Sequence, residues 1–103
     1  MNFAKRIDSN QNEIVRALRK AGFSVAITSR LGAGFPDLVI ALPRANLEPY
    51  VALVEVKDGS KPFSAQKLTP DEVRFRENWS GNYHIIRSVA DVAALLDSLM
   101  KVG

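Results

Sequence analysis

A chain of 103 residues, 47% of them hydrophobic, closes one core and not two, so a single domain over residues 1–103 is expected. It has no cysteine, which excludes disulfide frameworks and cysteine-ligated zinc. No apolar run approaches a membrane span, the first six residues lack a signal-like apolar region, and a formal net charge of +3 permits nucleic acid without requiring it, so the expectation is a cytoplasmic protein with no membrane partner.

Residues 11–21 place Ile14, Val15, Leu18 and Ala21 at helical spacing, and Gly22 stands where a C-terminal glycine is expected. Residues 23–29 (FSVAITS) are β-branched and aromatic and predict a first strand. Residues 36–41 (PDLVIA) and 50–57 (YVALVEVK) predict two more, joined by a hairpin loop over 42–49 with two prolines and an asparagine. After a loop at 59–67, Thr69 caps a helix with Pro70 at its first position and Glu72 completing a capping-box pattern, continuing through Phe75 to about Trp79. Ser80, Gly81 and Asn82 break that helix, and residues 83–87 (YHIIR) predict a fourth strand. Residues 89–101 then set Val92, Leu95, Leu96 and Leu99 on one helical face. The order α-β-β-β-α-β-α predicts an α/β (α+β) protein with a mixed sheet and a C-terminal helix.

The hairpin carries the chemistry. Symmetry about Asn46 pairs Ala41 with Val51, Val39 with Leu53 and Asp37 with Glu55. Opposed residues have Cβ atoms about 5 Å apart, and alternation puts Glu55 and Lys57 on one face, so two carboxylates and a lysine converge. Carboxylates so close repel unless a cation or shared proton intervenes, and hard oxygen donors suit Mg²⁺ or Mn²⁺, with phosphate as the implied ligand. The plainer alternative makes Asp37 a turn residue after Pro36, and Glu55 and Lys57 a solvated strand face. Gly32, Ala33 and Gly34 lead into the metal strand, where small residues allow either close approach of a phosphate backbone or simply a flexible turn. Arg30, Lys61, Gln66 and Lys67 lie in adjoining loops as candidate phosphate contacts or ordinary solvated side chains. His84, the only histidine, is expected in a structural or surface role, and Trp79 is expected to fill core.

These residues resemble the virus-type replication-repair nuclease (VRR-NUC) group of the PD-(D/E)XK nuclease superfamily, in its small stand-alone, phage-like form. The resemblance runs from Asn10-Gln11-Asn12-Glu13 through Gly32-Ala33-Gly34-Phe35-Pro36-Asp37 and Glu55-Val56-Lys57-Asp58-Gly59 to Leu68-Thr69-Pro70-Asp71-Glu72 and Arg87-Ser88-Val89. Many members carry Gln where Glu72 stands. The resemblance implies a restriction-endonuclease-like αβββαβ core and a Mg²⁺- or Mn²⁺-dependent endodeoxyribonuclease. It implies metal ligation by Asp37, Glu55 and the Val56 backbone carbonyl, a catalytic Lys57, and Glu13 as the helical acidic residue that holds a metal-bound water or second cation. An exposed helix charge near Arg16 and Arg19 is the alternative for Glu13. The resemblance further implies branched DNA as partner, hence a Holliday-junction resolvase in DNA repair, working as a homodimer or higher even-numbered assembly in a bacterial or phage-infected cell. A general nicking or restriction-type endonuclease and a catalytically inactive DNA-binding module are the competing readings.

Overall fold

The computed structural model describes residues 7–101; the stretch before Ile7 considered for a signal lies outside them. Seven regular elements follow the expected order: α1 (Gln11–Lys20), β1 (Ser24–Ile27), β2 (Leu38–Arg44), β3 (Leu47–Val56), α2 (Pro70–Asn78), β4 (Asn82–Ile86) and α3 (Val89–Met100), with a 3-10 turn at Phe63–Gln66. They form a mixed α+β fold around a four-stranded sheet ordered β1-β2-β3-β4, antiparallel except for the parallel β3–β4 pair. The α2 segment supplies the crossover that a parallel pair needs.

Helix α1 ends in a Schellman arrangement. Gly22, at φ +104°, donates its N–H to Arg19 O, and Phe23 donates to Leu18 O. That second bond draws Phe23 into the core at 3% exposure, which is why β1 begins at Ser24 and not at Phe23.

The expected loop over 42–49 is a correction. Both strands run on through it to a tight turn at Ala45 and Asn46, with Asn46 at φ +62°. Pro43, which has no N–H to give the ladder, sits where the register shifts between Leu42 and Arg44. The turn is therefore centred half a residue before Asn46, and the shift restores the expected pairing of Ala41 with Val51 and Val39 with Leu53; the ladder ends at Leu38 and Val54, so the expected Asp37–Glu55 pair lies beyond it.

Alternation along these strands divides the sheet. Leu38, Ile40, Leu42, Ala52, Val54, Val56 and Ile86 form the core face with Ile14, Val15 and Leu18 of α1 and Val92 of α3, and Leu95, Leu96 and Leu99 pack against its margin. Each fully buried aliphatic side chain contributes about 1.5–3 kcal/mol. Leu53, Glu55 and Lys57 alternate with this set and face the other side.

Helix α2 has no apolar stripe, and Glu72 is its one buried residue. It is held by local devices. Thr69 and Glu72 form both halves of the capping box, Phe75 meets Phe35 edge-to-face at 5.2 Å, and a Cβ on Gly34 would lie 2.3 Å from Asp71 O. The close approach that Gly34 permits is thus to the first turn of α2. Trp79 also departs from expectation: it is 43% exposed, stacks on Phe75 and donates its indole N–H to Asn82 O. At the C-cap of α2 the indole is held by these local contacts and is not part of the core cluster.

Candidate active site

Asp37 stands one residue before β2 begins, at the point where β2 and β3 part. Its backbone carbonyl accepts from Thr28 N–H at 2.7 Å, and the Thr28 hydroxyl donates to Pro36 O at 2.8 Å. Its Oδ2 accepts from Val56 N–H at 2.8 Å. A carboxylate takes the place of a ladder carbonyl there, so the strands separate with the acid between them. Because the N–H and C=O of a strand residue lie on the same edge, the Val56 carbonyl is on the edge that carries Asp37.

Glu55 and Lys57 share one face of β3, as alternation requires. Lys57 Nζ lies 3.7 Å from Glu55 Oε2 and 2.9 Å from Glu72 Oε1. Asp37, Glu55 and Glu72 are 2%, 0% and 3% exposed and Lys57 is 8%, so these charges interact where water screens them little. Glu72 Oε1 accepts from both Lys57 Nζ and Thr69 N–H. One oxygen both caps α2 and restrains the lysine.

Sequence periodicity exposes only the first of those two roles, since the capping box is local and the ion pair crosses from β3 to α2. Asn10 was also missed as an individual residue: its Nδ2 donates to Lys57 O at 3.1 Å and to Arg87 O at 3.0 Å, tying the end of β3 to that of β4. A sharper use of helical spacing finds Gln11, which is 3% exposed and stands three and four positions before Ile14 and Val15 on the buried face of α1.

The remaining candidates fall elsewhere. Glu13 is exposed and, with Gln66, lines a polar cavity of about 620 Å³ together with Asp58, Arg87 and Asp91. Gln66 is engaged on both ends of its amide, donating to Lys61 O and accepting from Arg87 Nε. Lys61 is exposed with Asp8 at 3.8 Å, while Arg30 and Lys67 are exposed in their loops. Next to the site, the hydroxyl and N–H of Ser60, and then the Ser9 hydroxyl, hold the Asp58 carboxyl below its usual range. His84 lies on the core face of β4, 2.5 Å from the Tyr50 hydroxyl. Burial lowers the pKa of the imidazole and, outweighing Arg44, raises that of the phenol, which keeps the pair neutral.

No family model, curated protein or solved structure matches this chain. Among the described residues no three His, Cys, Asp or Glu side chains gather as a metal-binding group. The oxygen donors beside the parting of β2 and β3 are the Asp37 carboxylate, the Val56 carbonyl and the carboxylate of the adjoining Glu55. That set fits Mg²⁺ or Mn²⁺, since Mg²⁺ takes one or two carboxylates and completes its octahedron with water and substrate oxygens. It does not fit zinc, for which four nitrogen, sulfur or carboxylate ligands would be needed in a structural site.

Proposed function

We propose that the protein is a Mg²⁺- or Mn²⁺-dependent DNA endonuclease of the PD-(D/E)XK type, with a restriction-endonuclease-like core and a VRR-NUC-like site. The observation that carries this reading is buried Asp37 bonded to Val56 N–H where two antiparallel strands part, with buried Glu55 and Lys57 flanking Val56 in the chain and 3.7 Å from each other. Structural ion pairs also occur in cores, but Lys57 here pairs with two buried carboxylates, Glu55 and Glu72, with buried Asp37 bonded to the adjoining Val56, and a divalent cation would suit such oxygen donors.

A bound Mg²⁺ or Mn²⁺ supplies positive charge at a phosphate and acidifies a nearby water. Asp37, Glu55 and the Val56 carbonyl would hold it. Lys57 keeps its ammonium beside Glu55, placed to orient a water or to stabilise charge on phosphoryl oxygens. Glu72 is a positioning residue: it fixes Lys57 without being required to touch substrate. Arg30 and Lys67, both exposed, would engage flanking phosphates.

Preference for branched DNA and action as a homodimer or higher even-numbered assembly belong to the same proposal, because symmetric cutting of a four-way junction needs two sites about a two-fold axis. The test is cleavage of duplex, flap, single-stranded and four-way-junction DNA with Mg²⁺ or Mn²⁺. The wild type is expected to cut, Asp37→Asn and Glu55→Gln are expected not to, and near wild-type cleavage by both variants at saturating metal would refute the assignment.

A further inference from the structure

A second cavity, of about 450 Å³, lies between the first turn of α1 and the segment that follows β1. Its lining includes Ile7, Gln11, Ile27, Ser29, Arg30 and Leu31. Gln11 and Ser29 are buried, at 3% and 1% exposure. Gln11 Nε2 donates to Ser29 Oγ at 3.2 Å, whereas Gln11 Oε1, itself buried, accepts no hydrogen bond among the described residues. A buried acceptor left in this way is unfavourable, and a donor entering the cavity relieves it. Beside the amide, Ile7, Ile27 and Leu31, 49%, 53% and 63% exposed, supply apolar wall, and Asn12 and Arg30 supply polar wall. Thr28 also lines the cavity and is hydrogen-bonded to the backbone of Pro36 and Asp37, so the cavity adjoins the carboxylate site.

We propose that this cavity takes an unpaired adenine base of a DNA strand, with Arg30 on that nucleotide's phosphate; the inference rests on the nuclease reading and names a substrate feature for it. A glutamine amide matches adenine on two atoms: Oε1 accepts from N6–H, and the Nε2 hydrogen not given to Ser29 donates to N7. The apolar side chains of Ile7, Ile27 and Leu31 suit the faces of a planar ring, and the cavity volume falls in the range of small-molecule sites. Branched and flapped DNAs offer unpaired bases beside a duplex, whereas an intact duplex must first extrude one.

The test is a metal-free NMR titration of the full chain with dAMP, dTMP and deoxyribose 5-phosphate, following the Gln11 side-chain amide and the backbone of Ser29 and Arg30. Saturable shifts with dAMP are expected, with binding weakened roughly ten-fold for Gln11→Leu, the loss of one bidentate pair; dTMP, whose N3–H and O4 also match an amide, should bind more weakly through its smaller ring face, and equal binding would overturn the choice of adenine. Leu31→Glu, at a wall residue 63% exposed, puts a charge at the cavity without touching the core and should weaken dAMP binding even if Gln11→Leu fails to fold. Shifts equal for dAMP and deoxyribose phosphate would reduce the cavity to a phosphate contact and overturn the proposal. The absence of any shift at tens of millimolar nucleotide would overturn it too. Because this titration reads no cleavage, a protein that binds dAMP here but cuts no DNA sinks the nuclease reading alone, and a metal-dependent nuclease whose Gln11 ignores dAMP sinks the pocket alone.

Discussion

Replacing Glu72 separates the two roles of its Oε1. Glu72→Gln keeps a hydrogen-bond acceptor for Thr69 N–H, since Gln serves the capping box as Glu does, but removes the charge opposite Lys57. Breaking a buried ion pair by deleting one partner costs about 3–5 kcal/mol when the other charge is left uncompensated. Here Lys57 retains Glu55 at 3.7 Å, and the amide oxygen still accepts from the ammonium, so the cost should fall to about 2 kcal/mol. Glu72→Ala loses the cap as well and should cost about 1 kcal/mol more. With about 2.1 cal/mol/K of unfolding entropy per residue over 103 residues, the two variants should lower Tm by about 9 and about 14 °C. Thermal unfolding by circular dichroism in metal-free buffer measures both. In the cleavage assay, Glu72→Gln should depress single-turnover rate more than metal affinity, because it loosens Lys57 and leaves Asp37 and Glu55 in place. A Tm for Glu72→Gln within 2 °C of wild type, with an unchanged rate, would show that the Lys57–Glu72 contact neither stabilises nor positions.

Gly34→Ala should destabilise by about 3 kcal/mol, since it adds a left-handed penalty at φ +82° to a backbone collision with Asp71; Gly32→Ala, at φ +66° with open space around it, should cost only about 1 kcal/mol. Urea denaturation compares the two, and equal costs would mean that α2 does not rest on Gly34. In the folded protein the His84 pKa lies below its ordinary value of 6.5, so the unfolded chain binds the proton more readily. The stability due to neutral His84 is present above that ordinary value and is lost as pH falls through it toward the folded value. His84→Gln should therefore flatten the stability profile on the acid side of neutrality, read from denaturation midpoints across that window. Mg²⁺ or Mn²⁺ at a hundred times its Kd should stabilise the wild type by about 2.7 kcal/mol and leave Tm of Asp37→Asn and Glu55→Gln unmoved, a scan that needs no DNA.

The sequence by itself determined the element order and the phase of the central hairpin. Helical spacing marks α1 and α3, Gly22 ends α1, Thr69-Pro70-Asp71-Glu72 starts α2, and strand alternation puts Glu55 and Lys57 on one face. Those signals are local, and local backbone chemistry enforces them. What only the tertiary structure decided depends on elements meeting. The ladder continues through Pro43 and Pro49 because β4 pairs with β3 only from Ala52 onward, so Pro49 needs no N–H toward β4, and Pro43 is absorbed where the register shifts. Asp37 bonds Val56 through its side chain because the strands part there, and Glu72 joins Lys57 because α2 is set down on the Glu55 face by Gly34 and Phe35. Glu13 faces the Asp58 cavity while Gln11 is turned inward against Ser29, since the packing of Ile14 and Leu18 fixes the rotation of α1. A period of 3.6 residues tells which positions share a face, but the sheet and the neighbouring helix decide what that face meets.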